Sequence, residues 1–264
     1  MNSQQEFQRV LHLLLLYLIS GVLFDFGSTL YAWFIHMPAA YPTLGDLSLF
    51  LWVLSTSYIF LYILKTLDYD TLSPVIFFLF FMLIFGEGAQ FVANSVQIKL
   101  WHIGYNDTLG LGLPSHASLP AISLKLRQIF QFLYFSDEIL GHYLIFTAIF
   151  LFFLVFYGIG FRRHSFISEK KYGPLFFSIV LLNGLYMAWN MIEGQAVPLF
   201  LFMCMLLAGI KVYYRRCPAG PINRTVEGIF LFTLFFISLW IATAGHFKTI
   251  PQFFETMKPL VLGL

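Results

Sequence analysis

Apolar positions along this chain do not alternate but run on, in stretches of roughly the 20 residues needed to cross a hydrocarbon core, separated by short polar turns rich in Pro and Gly. Seven such stretches are predicted as spans, at about residues 11–35, 46–67, 74–97, 134–161, 174–192, 198–214 and 226–245. Lipid supplies no hydrogen bonds to the backbone, so unbroken apolar runs of this length are viable as helices. The predicted fold is an all-α, polytopic integral membrane bundle forming one domain over residues 1–264. Pro74 and Pro174 suit first helical positions, where a missing N–H costs nothing. The first run is longer than a signal-peptide core and reads as a retained span. The longest connection, residues 98–121, contains Gly104, Gly110, Gly112, Pro114 and Pro120 and reads as a covering or binding loop.

Polar residues interrupt these runs in a pattern. Glu87, Gln90, Asn94 and Gln97 fall at i, i+3, i+7 and i+10, which places them on one helical face. Asn183, Tyr186, Asn190 and Glu193 repeat that spacing in the fifth span, and Asp25 stands inside the first. Glu138 and His142, preceded by Asp137, are i, i+4 neighbours able to serve one point. A charge at the bilayer centre costs ~2.5–3.5 kcal/mol on insertion scales, so these groups must face the bundle interior, a partner or a cavity. Asn and Gln stripes also bond helix to helix, and Asn183 is assigned to that role.

Composition supports the membrane reading, since 59% hydrophobic and 11% charged residues lie far from soluble usage. The 33 Phe are expected to be mostly lipid-facing bulk. The net charge of +2 offers nothing for nucleic acid, and Cys204 and Cys217 form neither a disulfide framework nor a metal spacing. Across seven spans, ten Lys and Arg fall on the N-terminal side and five on the other. This predicts a cytoplasmic N-terminus and an extracytoplasmic C-terminus. Size and short loops suggest a bacterial inner membrane. With that orientation Glu87 to Gln97, Asp137 to His142, Asn190 to Gln195, His246 and the Gly-rich loop with His116 share the extracytoplasmic half, and Asp25 lies near mid-depth. The expected result is a polar cavity open outward, above a half filled by Phe, Leu and Ile.

Carboxylates gathered there would repel one another unless a cation neutralised them. Zinc or another divalent metal, held by Asp137, Glu138, His142 and His246, would do so and could activate a water. Seven spans with the E-x-x-x-H pair Glu138/His142 resemble the membrane hydrolase superfamily of alkaline ceramidases and adiponectin-type receptors, which implies a buried zinc site that cleaves lipid amides. That family's final span carries H-x-x-x-H, whereas here His246 follows Ala242. The segments GEGAQFVAN and D-E-x-x-x-H-Y also resemble G-H-G-x-H-x-x-A-N and D-E-x-x-x-H-Y in a group of multi-pass proteins of unassigned activity, with Glu87 and Gln90 where those have His.

The first expectation for function is a metal-assisted hydrolase or transferase acting on a lipid-like molecule. Glu87, Glu138 and His142 would be its catalytic or ligand groups, Gln90, Asn94, Asn190, Glu193 and His116 would hold substrate, and Asp25 would relay protons. A proton- or cation-coupled transporter and a non-catalytic membrane assembly subunit are the alternatives. Membrane lipid is the expected partner in each case, and oligomeric state is left open.

Overall fold

The computed structural model describes residues 3–26, 44–100, 129, 132–133, 135–162 and 173–244. Among them the chain forms α1 (Ser3–Ser20), a π-helical turn Gly21–Phe26, α2 (Leu44–Thr66), α3 (Pro74–Leu100), a second π-helical turn Phe135–Gly141, then α4 (His142–Arg162), α5 (Pro174–Glu193), α6 (Val197–Tyr213) and α7 (Pro221–Ala244). No strand occurs among the described residues, and the architecture is an all-α polytopic bundle. Six of the helices are long and apolar enough to cross a membrane, while α6, at 17 residues, is shorter. Proline opens α3, α5 and α7, as its fixed φ and missing donor favour. The α2–α3 turn is closed locally, with Asp68 at φ 50° and Asp70 Oδ1 accepting the Leu72 N–H at 2.9 Å.

Helix α4 is the centre. It packs on α3, α6 and α7, and 72% of its apolar window is buried against 33–56% in the other long helices. Its buried Phe150, Phe152, Phe153 and Phe156 mesh with Phe60 of α2, Phe80 of α3, and Phe200 and Phe230 of α6 and α7. Phe is therefore not simply lipid-facing bulk: residues such as Phe77 and Phe81 are outward, but an interdigitated aromatic core fills the interior. Lipid tails are as apolar as leucine, so burial alone does not drive these helices together. Close packing and internal hydrogen bonds must, and the glycines show where.

A side chain at Gly184 of α5 would meet Phe232 Cβ at 2.5 Å and the Thr233 nitrogen at 3.1 Å. At Gly228 of α7 it would meet Val180 Cγ1 at 2.5 Å. The α5–α7 pair, the most extensive interface in the bundle, is thus set by two small residues and tied by Thr233 Oγ1 donating to the Gly184 carbonyl at 3.2 Å. Gly86 of α3 and Gly141 play the same part where α3 crosses the head of α4, since a Cβ on either would lie 3.0–3.1 Å from the other's carbonyl oxygen. Asn183 is fully buried. It donates to Ile179 O on its own helix at 2.8 Å and to Leu14 O of α1 at 3.5 Å, which is the interhelical role expected of it.

Candidate functional site

Asp25 sits in the first π-helical turn. That geometry adds a residue per turn, breaks the α register and is frequent at functional positions. Tyr186 of α5 donates its hydroxyl to Asp25 Oδ2 at 2.7 Å, and the Asn190 side chain, one turn further, also bonds this carboxylate. Asn190 Nδ2 additionally donates to Tyr186 O at 3.0 Å. The Tyr186 ring presses on Gly21, where any side chain would overlap it, and meets Tyr17 edge-on at a centroid distance of 5.7 Å. Tyr17 in turn donates to Met187 Sδ at 3.6 Å and packs on Phe60 at 5.3 Å. The result is a knot of α1, α2 and α5 around one carboxylate. Two of the four residues of the fifth-span stripe, Tyr186 and Asn190, are therefore joined to Asp25 by the fold.

Glu87 and Gln90 are buried, at 1% and 4% exposure, on the face of α3 that crosses the second π-helical turn. The Gln90 side chain lies directly over Gly141, so this part of the stripe marks a tight helix crossing. His142 stacks on Phe146 at 5.7 Å and 16°. A Cβ on Gly194, in the α5–α6 turn beside Glu193, would come within 3.3 Å of the His142 ring. Tyr143 reaches the same turn, its hydroxyl donating to Gln195 O at 3.4 Å. The fold thus brings His142 beside the Glu193-Gly194 turn, and Asn190 beside Asp25, at one end of α5. The side chains of Asn94, Asp137 and Glu138 lie outside the described residues, as do His116 and His246. Among the described residues, no group of three or more His, Cys, Asp or Glu could hold a metal ion, so the zinc expectation finds no support there.

A second polar cluster, at the opposite end of the bundle, is not among the expected site residues. Tyr157 of α4 donates to Glu227 Oε1 of α7 at 2.5 Å, and Lys211 of α6 pairs with the same oxygen at 2.9 Å. Asn223 donates to Tyr157 O at 2.7 Å and accepts the Gly220 N–H at 2.9 Å, closing the start of α7. Glu227 lies nearly two turns into its helix, at the edge of its apolar run, where an isolated acid is a weaker signal than Asp25 inside one. Lys211 is 60% exposed, so the salt bridge adds little, and the tyrosine bond is the stronger tie. Tyr157→Phe is expected to lower stability by about 1 kcal/mol, within the range found for membrane side-chain hydrogen bonds. A double-mutant cycle with Glu227→Gln in reversible detergent unfolding checks it, and additive losses would mean the pair is uncoupled.

A family model described as ceroid-lipofuscinosis neuronal protein 6 matches residues 1–250. Among curated proteins, the chain is 24% identical over 216 residues to a ceroid-lipofuscinosis neuronal protein 6 homolog of the dog, Canis lupus familiaris. It is 26% identical over 219 residues to the human ceroid-lipofuscinosis neuronal protein 6. Each alignment covers 80% of this chain and 66% of the relative, so the match spans slightly less than two thirds of those proteins' length. No solved structure matches. The family match overturns the resemblance to ceramidases and adiponectin-type receptors: an acid and a histidine four residues apart arise on many helices, and the final-span histidine pair that would complete a zinc site is missing. Relatives in dog and human also do not fit the bacterial inner membrane. What stands is an integral, multi-pass membrane protein.

Proposed function

Because the chain belongs to the ceroid-lipofuscinosis neuronal protein 6 family, we propose that it is a non-catalytic membrane protein whose bundle engages a partner's transmembrane helix. One observation carries this reading. Three of the polar side chains within the described helices are engaged in bonds between those helices: Asp25 with Tyr186 and Asn190, Asn183 with α1, and Glu227 with Tyr157 and Lys211. A catalytic group must present a lone pair or proton to a bound molecule, whereas these present theirs to neighbouring helices.

The partner face we favour is the outer side of α2. Tyr58 and Tyr62 stack there at 6.0 Å, exposed by 66% and 38%. Tyrosines of this kind offer a large rigid contact with a hydroxyl to share, which suits an interface. The ten-to-five bias of Lys and Arg supports an N-terminus in the cytoplasm. Extraction in mild detergent is expected to co-purify a stoichiometric membrane protein, reduced at least fivefold by Tyr58→Ala/Tyr62→Ala with expression unchanged. Purification of the chain alone, from several detergents and after cross-linking in the intact membrane, would count against it.

A lipid-acting enzyme is the second reading. The observation in its favour is that both π-helical turns contain expected site acids, Asp25 in one and Asp137 and Glu138 in the other. Metal bound to the purified protein, and lost with Glu138→Gln and His142→Ala, would reverse the ranking.

A further inference from the structure

The end of the bundle that holds Glu227 has a feature the partner reading does not use. Arg162, the last residue of α4, is exposed and hydrogen-bonds the Tyr214 hydroxyl. The Tyr69 and Tyr213 hydroxyls stand within electrostatic reach of the same guanidinium. Tyr214 is itself fixed, its ring stacked on Phe161 at 5.0 Å and 10° and its carbonyl accepting the Cys217 N–H at 2.8 Å. Arg215 and Arg216 follow it on the same turn, both exposed. Arg224 stands at the start of α7 after that turn, its N–H bonded to Gly220 O at 3.1 Å. Three helix ends, of α4, α6 and α7, thus bring guanidinium groups to one turn lined with phenol hydroxyls.

Lys211 is taken up by Glu227. The α2–α3 turn brings Asp68 and Asp70 on either side of Tyr69, and Asp70 Oδ1 already accepts the Leu72 N–H. Against these two acids stand Arg162, Arg215 and Arg216, and among the described residues neither Arg215 nor Arg216 forms a salt bridge with an acid. The site lies where apolar helices end, which for helices of spanning length is the level of lipid headgroups, and Tyr213, at 81% exposure, is the kind of aromatic that occupies that zone. Planar guanidiniums match phosphate oxygens bidentately, and hydroxyls can donate to the same group.

The geometry points to a specific site for the headgroup of an acidic phospholipid, built from Arg162 and Tyr214 with Arg215 and Arg216. A lipid fits better than a soluble anion because the tails would lie along the exposed apolar side of α6, formed by Phe202, Met205, Leu206 and Val212, while the headgroup meets the arginines. Net negative charge would set the preference over zwitterionic lipid, and a basic group beside an anionic leaflet is worth about fivefold in binding, the equivalent of ~1 kcal/mol.

The test uses the full chain reconstituted in equimolar phosphatidylcholine and phosphatidylserine, re-extracted, and its retained lipid quantified. Wild type is expected to retain phosphatidylserine several-fold over phosphatidylcholine. Arg162→Gln and Arg215→Gln/Arg216→Gln, the latter pair on an exposed turn, are each expected to bring that ratio back toward the bulk value, and Tyr214→Phe to lower it less. Retention in the bulk ratio by wild type overturns the proposal. So does loss of all preference in Arg215→Gln/Arg216→Gln with Arg162→Gln and Tyr214→Phe unchanged, which would mean diffuse surface charge. A parallel arm in phosphatidylcholine alone with inorganic phosphate in the buffer is expected to leave thermal stability unchanged. Stabilisation there equal to that by phosphatidylserine would assign the site to a soluble anion and overturn the lipid.

Discussion

Gly184→Val is expected to be the most damaging single substitution in the bundle, costing at least ~3 kcal/mol, the upper part of the range for overpacking. The new side chain would meet Phe232 Cβ at 2.5 Å, and also the Thr233 nitrogen at 3.1 Å and the Ile229 oxygen at 3.2 Å. None of these can rotate away, since a Cβ is fixed by its own backbone and the last two contacts are backbone atoms. Relief therefore requires α5 and α7 to separate, with loss of the Thr233 bond to Gly184 O and of the packing of Val180 against Gly228. Within lipid no hydrophobic term offsets that separation, because helix and tail are equally apolar. Size-exclusion chromatography of a fluorescent fusion should show the monodisperse peak collapse. Gly209→Ala is the control: nothing lies within 4 Å of its Cβ position, so the change should be neutral or slightly stabilising through helix propensity.

The second large effect belongs to Asp25. In Asp25→Ala the Tyr186 hydroxyl and the Asn190 amide lose the acceptor they share and stay aimed into a gap among α1, α2 and α5. Leaving buried donors unsatisfied costs about 1–3 kcal/mol, and with two donors the loss is expected near the upper end. Asp25→Asn keeps one acceptor oxygen and should cost roughly half as much. Tyr186→Phe removes the other side of the same bond, so Asp25→Ala/Tyr186→Phe should be less destabilised than the sum of the single changes. Reversible unfolding in mixed detergent micelles measures all of these, and strict additivity would show that Asp25 and Tyr186 act independently. The pair also separates the functional readings: a proton relay fails in Asp25→Asn, whereas a structural clasp keeps partner binding in it.

The all-α polytopic fold was legible because backbone in lipid has one economical solution, the helix, and apolar runs of that length record it directly. So was the inward side of the polar stripes, since a carboxylate facing tails is too costly to retain; Glu87, Gln90 and Asn190 are all buried. The partner of each polar group was not legible. Spacing along one helix says that Tyr186 and Asn190 share a face, but their meeting with Asp25 depends on a π-helical turn at Gly21–Phe26 that redirects the chain where α-periodicity would not. Glu227 escaped notice because it lies at the edge of its apolar run, and its bond to Tyr157 spans 70 positions. The glycine crossings were equally hidden, since Gly184 and Gly209 look alike in a sequence and differ only in what faces them. Of the four ligands expected for zinc only His142 has a described side chain, stacked on Phe146 and close to Gly194; Asp137, Glu138 and His246 lie outside the described side chains.

The central claim is that this bundle spends its polar residues on holding itself together and works through a partner in the membrane. Quantitative affinity purification from native membranes, comparing wild type with Asp25→Asn and Tyr58→Ala/Tyr62→Ala, tests it most directly. A membrane protein recovered in stoichiometric amount with wild type and Asp25→Asn, and lost at least fivefold with the tyrosine pair, is the result predicted. A chain recovered alone from every preparation, turning over a lipid substrate and losing that turnover with Asp25→Asn, would contradict it.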